Sequence, residues 1–155
     1  MKNKLLRVPL VSLGTGILLT VIETVAAYTL GRQGGSTTPL IWVMLLCSAA
    51  LYVLCGILFF RDMTWGDTAK SAGLVVAYAV AMVLVEQLFL AGGSYPAVLL
   101  WMFIPLRMYL SVHQALLFLT WTPSIWYVAL SCLAPLLFVP WARLRRGTGS
   151  AKQPG

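Results

Sequence analysis

Four titratable side chains sit inside long apolar runs of this 155-residue chain: Glu23, Glu86, Arg107 and His113. An ionised group at mid-depth in lipid costs about 2.5–3.5 kcal/mol, so it is kept only where it is paired, neutralised or wetted. Two carboxylates and a guanidinium at one level would suit a cation, a proton or a small polar solute. The competing reading is structural: the guanidinium neutralises a glutamate and the pair locks the bundle.

Spacing brings these residues to a common depth. Glu23 precedes Gly31 by eight residues and Glu86 precedes Gly92 by six. At 1.5 Å per residue they lie about 12 Å and about 9 Å below their helix ends. Arg107 comes ten residues into a segment that begins at the same surface, and so reaches a similar level or a little deeper. Ser12, Gly16, Thr20 and Ala27 share the Glu23 face, and small or hydroxylated residues let helices approach closely. Glu86 shares its face with Val75, Ala79 and Met82, while Gln87 points about 100° away. The expected site is an internal cluster of Glu23, Glu86 and Arg107, with Thr20, Thr24, Tyr28 and Gln87 as hydrogen-bond partners. His113, beside Gln114, reads either as a proton relay, because histidine titrates near neutrality, or as an interfacial histidine bonded to a backbone carbonyl.

Composition says which solvent these residues meet. The chain is 60% apolar and only 10% charged, with a mean hydropathy of +0.88. Soluble domains average about 45–50% apolar and about 25% charged. A water-soluble enzyme, a disordered tail and a nucleic-acid-binding domain are all excluded. The net charge of +7 comes from basic residues at the edges of apolar runs, where they orient helices and meet anionic lipid rather than nucleic acid.

The expected fold is all-α: a polytopic helical membrane bundle occupying residues 1–142, followed by a basic, flexible cytoplasmic tail at 143–155. A span needs about 20 apolar residues, which places the first three at 8–30, 40–60 and 72–91. A polar turn fills 31–39, and a hydrophilic loop runs from Arg61-Asp62 to Lys70. The stretch 97–141 is long enough for two more helices, 97–119 and 124–141. Charge opposes two full crossings. With the N-terminus cytoplasmic and four crossings, nearly every lysine and arginine lies inside, leaving only Arg32 outside and Arg107 in the membrane. A fifth crossing would move the basic residues from Arg143 to Lys152 outside and erase the positive-inside bias. Both facts hold if 97–119 is a broken or re-entrant helix that dips from the outer surface and returns, with Trp101 and Trp121 anchoring its rims. Non-helical backbone at that depth needs cover from protein or a wet cavity. The alternative is five spans.

Pro105, Pro123, Pro135 and Pro140 crowd the last third, where they kink or interrupt helices and release carbonyls able to line a cavity. Cys47, Cys55 and Cys132 form no CxxC pair and read as small packing residues. One histidine and no cysteine pair are too few ligands for zinc. No cofactor motif, HExxH, GxSxG or Walker loop occurs. The chain therefore reads as a non-enzymatic component of a transport or permeation system, and its expected location is the bacterial cytoplasmic membrane. Its partners are the lipid bilayer and either further copies of itself or a larger membrane protein. The alternative is a non-catalytic accessory or scaffold in which the same cluster serves helix packing.

Overall fold

A computed structural model describes residues 4–32, 38–60, 63–93, 95–122 and 124–143, and every regular element among them is helical. The helices are α1 (Arg7–Arg32), α2 (Thr38–Phe59), α3 (Trp65–Ala91), α4 (Val98–Met102), α5 (Arg107–Thr120) and α6 (Ile125–Leu133). Short 3-10 turns at Lys4–Leu6 and Ile104–Leu106 precede α1 and α5. A longer one, Ala134–Arg143, continues α6. Beyond its first residue the expected tail lies outside the described residues, as does most of the polar turn after Arg32.

Four helical stretches are long and apolar enough to cross a membrane: Lys4–Leu30, Thr38–Phe59, Trp65–Ala91 and Ile125–Ala142. Large apolar side chains cover the outer surface as well as the core, unlike in a soluble protein. Leu88 is 74% and Leu58 69% exposed, while Ser12, Thr68 and Ser71 are fully buried. Inside the bundle those hydroxyls find partners that hydrocarbon cannot offer. The Ser71 hydroxyl accepts from the Val8 N–H at 3.0 Å and donates to the Leu5 carbonyl at 2.6 Å, which ties the start of α1 to α3. Arg7 donates to the Phe59 carbonyl at the end of α2, at 3.3 Å.

Two boundaries depart from the expected ones. The third helix begins at Trp65 rather than at residue 72, so residues 65–70 of the expected loop are helix. Thr64 accepts from the Asp67 N–H at 3.2 Å and caps the first turn. Asp67, in that turn, suits the positive end of the helix dipole and pairs with Lys4 at 3.6 Å. The last span is not one α-helix: Pro140 cannot donate to the carbonyl a turn earlier, and the backbone winds as a 3-10 helix from Ala134. The tighter winding rises about 2.0 Å per residue. Nine α residues and ten 3-10 residues thus reach about 33 Å, as far as α2 with its 22 residues.

The stretch 97–119 dips in and returns; it does not cross. The carbonyl of Ile104, at the turn, rests against Gly16 in the middle of α1. Tyr109, early in α5, bonds through its hydroxyl to Ser12 at 2.7 Å, deeper still. From there α5 climbs back, and Leu117, Phe118 and Trp121 near its end border the same hollow as Leu40 and Ile41 at the start of α2. The break is chemically covered. Pro105 has no N–H and the Leu106 N–H bonds to Phe103, so the Met102 carbonyl has lost both helical donors. The Tyr78 hydroxyl of α3 donates to it at 2.6 Å. Phe138 of the 3-10 segment, fully buried, stacks on Tyr52 at 4.3 Å between centroids and leans on Phe60 at 4.6 Å. Its edge-on contact with Tyr109 at 6.4 Å closes the base of the re-entrant pair. The last span therefore ends beside Phe60, on the face of the bundle where α1 begins.

Gly16 is the seat of the turn: a Cβ there would overlap the Ile104 carbonyl oxygen, whereas Gly14 has open space around it. Gly16→Ala should lower stability by about 1–3 kcal/mol, the usual cost of overpacking. Gly14→Ala should be neutral or slightly stabilising. Thermal unfolding of both variants in one detergent checks this.

Candidate functional site

Two side chains at the root of α5 reach in opposite directions. Ser12 and Glu23 are eleven residues apart on α1, about 16 Å along the helix. Tyr109 reaches down to Ser12, while Arg107 extends the other way and forms an ion pair with Glu23. The Arg107 and Glu23 side chains are 25% and 33% exposed, shielded by the bundle without being sealed off. Arginine suits this task because its planar guanidinium bonds a carboxylate well and is weakly hydrated.

This pair forms part of the wall of a half-open chamber of about 390 Å³ bordered by α1, α2, α3, α5, α6 and the α4 turn. Glu86 faces the same space from α3, and His113 and Gln114 from α5. The three charged residues read from the sequence thus border one cavity, but they do not form one ionic cluster. Glu86 has a different partner: the Tyr95 hydroxyl donates to it at 3.1 Å. Burial and the neighbouring carboxylate both push the Tyr95 phenol above its usual pKa. Gly93, at φ +71°, turns the chain just past α3, and Tyr95 follows that turn back toward Glu86. Glycine adopts this conformation without strain.

The other residues read from the sequence lie elsewhere. Thr20 and Thr24 donate to the carbonyls of Gly16 and Thr20, both at 2.8 Å, and so serve their own helix. Tyr28 and Gln87 are exposed and do not border the chamber. His113 does border it, and its Nδ1 is buried without a hydrogen-bond partner among the described residues. Sequence reasoning passed over two contributors. Tyr95 could have been found from the Gly92-Gly93 turn. Ser131, on α6, is 97% buried, borders the chamber, and leaves its hydroxyl unpartnered among the described residues; a lone serine in an apolar helix carries no signal of that.

Comparisons with protein-family models, curated proteins and solved structures found no match. No relative lends this chamber a substrate.

A second hollow, about 400 Å³, lies between α1, α2 and α5. Its wall is mostly apolar (Leu40, Ile41, Leu117, Phe118), and it meets the chamber at Glu23, Met44 and Gln114. Among the described residues, no group of three His, Cys, Asp or Glu side chains is placed to hold a metal ion. What the chamber can do is bind: it offers one neutralised carboxylate, one carboxylate held by a phenol alone among the described residues, an imidazole nitrogen, an amide and a hydroxyl, against apolar walls. Pockets of this size and character hold small organic molecules.

Breaking the Glu23–Arg107 pair from either side leaves a charge without its partner. Arg107→Ala and Glu23→Ala should each cost about 2 kcal/mol, less than the 3–5 kcal/mol of a fully sealed pair because both groups are partly exposed. The exchange Glu23→Arg with Arg107→Glu should recover most of that loss. Accumulation in the membrane and thermal unfolding of the three variants measure it.

Proposed function

We propose that this membrane protein is a component of a transport or permeation system, and that its chamber is where a small solute rests within the membrane. The observation that carries this reading is the chamber itself: a space of about 390 Å³ inside a helical bundle, bordered by Glu23, Glu86, Arg107 and His113. A bundle that needed these groups only for packing would bring them into direct contact. Instead Glu86 and His113 face open volume. Ionisable residues inside a membrane mark solute or ion paths by default, and irregular backbone such as that at 103–106 is tolerated where it lines a cavity.

With four spans and a re-entrant pair, the chain has little material for a complete pathway. Assembly with further copies or with a larger membrane protein is part of this proposal. The positive-inside bias supports placing both ends of the chain in the cytoplasm, with the chamber toward the outer half of the membrane. The accessory reading draws its support from the Glu23–Arg107 pair, which fastens the re-entrant pair to α1 as a structural lock would. The two readings differ in what a filled chamber does. Val83 borders the space and is only half-buried, so Val83→Trp should fill it without disrupting the core. The transport reading expects normal accumulation and loss of solute-dependent thermal stabilisation and of flux in reconstituted vesicles. An accessory role expects that variant to behave as the parent does in every assay.

A further inference from the structure

The chamber's charge does not sum to zero. Arg107 neutralises Glu23. Among the described residues no cationic side chain lies within ion-pair distance of Glu86, whose partner is the uncharged Tyr95 hydroxyl. Two carboxylates and one guanidinium border the space, so by formal charge one carboxylate is left without a counter-ion among the described residues. A second, independent observation concerns hydrogen bonds. Ser131, 97% buried, and His113 both border the space, and neither the Ser131 hydroxyl nor the buried His113 Nδ1 has a partner among the described residues. A buried polar group without a partner costs about 1–3 kcal/mol, which a ligand reaching either atom from the chamber would relieve. An imidazole nitrogen without its proton accepts, a carboxylate accepts, and a hydroxyl does either. The missing species is a donor with positive charge.

From this we infer that the chamber binds a small organic cation, an ammonium with an apolar body. Its N–H groups reach Glu86, Ser131 and His113, and its carbon skeleton lies against Ala79, Val83 and Phe103. A carboxylate distinguishes such a ligand from an alcohol of the same shape far better than apolar walls alone can, because hydrogen bonds between charged groups are the strong ones. The apolar hollow beyond Met44 and Gln114 extends the space available to a longer carbon chain. The inference rests on the solute-binding reading above and names the class of solute.

The test uses the purified full-length protein in detergent and three probes of nearly equal size: cyclohexylammonium, cyclohexanol and cyclohexanecarboxylate. Affinity is read by calorimetry and by thermal stabilisation. The ammonium should bind at least about tenfold more tightly than the alcohol, and the carboxylate should bind worst. Glu86→Gln should erase the preference while leaving the ligand-free unfolding temperature close to that of the parent. Ser131→Ala should weaken ammonium binding by about 3- to 10-fold, and it carries the test should the glutamine variant fail to accumulate. Equal binding of ammonium and alcohol, or a preference for the carboxylate, overturns the cationic assignment and leaves the chamber a solute site. An ammonium preference unchanged by Glu86→Gln or by Ser131→Ala overturns it as well. If none of the three probes binds, the solute-binding reading falls together with the inference.

Discussion

Hydrocarbon offers Arg107 no counter-charge, so the guanidinium must find one within the bundle, and it does so at Glu23. Much else in the architecture depends on that pairing. It fixes where α5 can start, because an arginine arm reaches only a few ångströms and its target lies on α1. With α5 rooted there, the 3-10 turn at Ile104–Leu106 falls against Gly16, where a side chain would block it. Tyr109 then faces the opposite way and meets Ser12. One charge pair and one small-residue seat set the depth of an element that never crosses the membrane.

The broken helix would be untenable in lipid if its backbone were left bare, since each unsatisfied group there costs several kcal/mol. The protein meets this need from neighbouring elements. Tyr78 serves the carbonyl that Pro105 and the 3-10 turn leave open, and the aromatic group around Phe138 covers the base. Above that base the returning helix packs on α6 but stands off from α3, and the gap is the chamber. The cavity is thus a geometric consequence of folding a segment back at mid-depth: two short arms cannot fill the width that a full span would.

Much of this was legible in the sequence, for a physical reason. Length and hydropathy define spans because lipid tolerates only satisfied backbone. The distribution of lysine and arginine separated four crossings from five, and the proline at 105 marked the break. The depth arithmetic for Glu23 and Arg107 was sufficient to bring them near one another, since helix rise is nearly constant. What failed to show was whatever depends on direction rather than depth. Thr20 and Thr24 share a helix with Glu23 yet bond to their own backbone, a choice that spacing does not encode. Glu86 lies at the expected level, but its partner Tyr95 comes from beyond a glycine turn. Residues 65–70 read as loop because their charges mask a capped helix start at Thr64. The switch from α to 3-10 winding after Leu133 follows from two prolines, but its length does not.

The central claim is that residues 97–120 enter and leave the membrane on one side. Single cysteines at Val98 and Leu119, both exposed, can be placed in a variant whose three native cysteines are replaced by serine. Labelling with a membrane-impermeant maleimide, applied from each side of sealed vesicles of known orientation, then reports where each end lies. The account predicts that both positions are labelled from the same side, and that a cysteine at Leu106, buried at the turn, is labelled from neither. Labelling of Val98 from one side and Leu119 from the other would make the segment a fifth crossing and contradict the account.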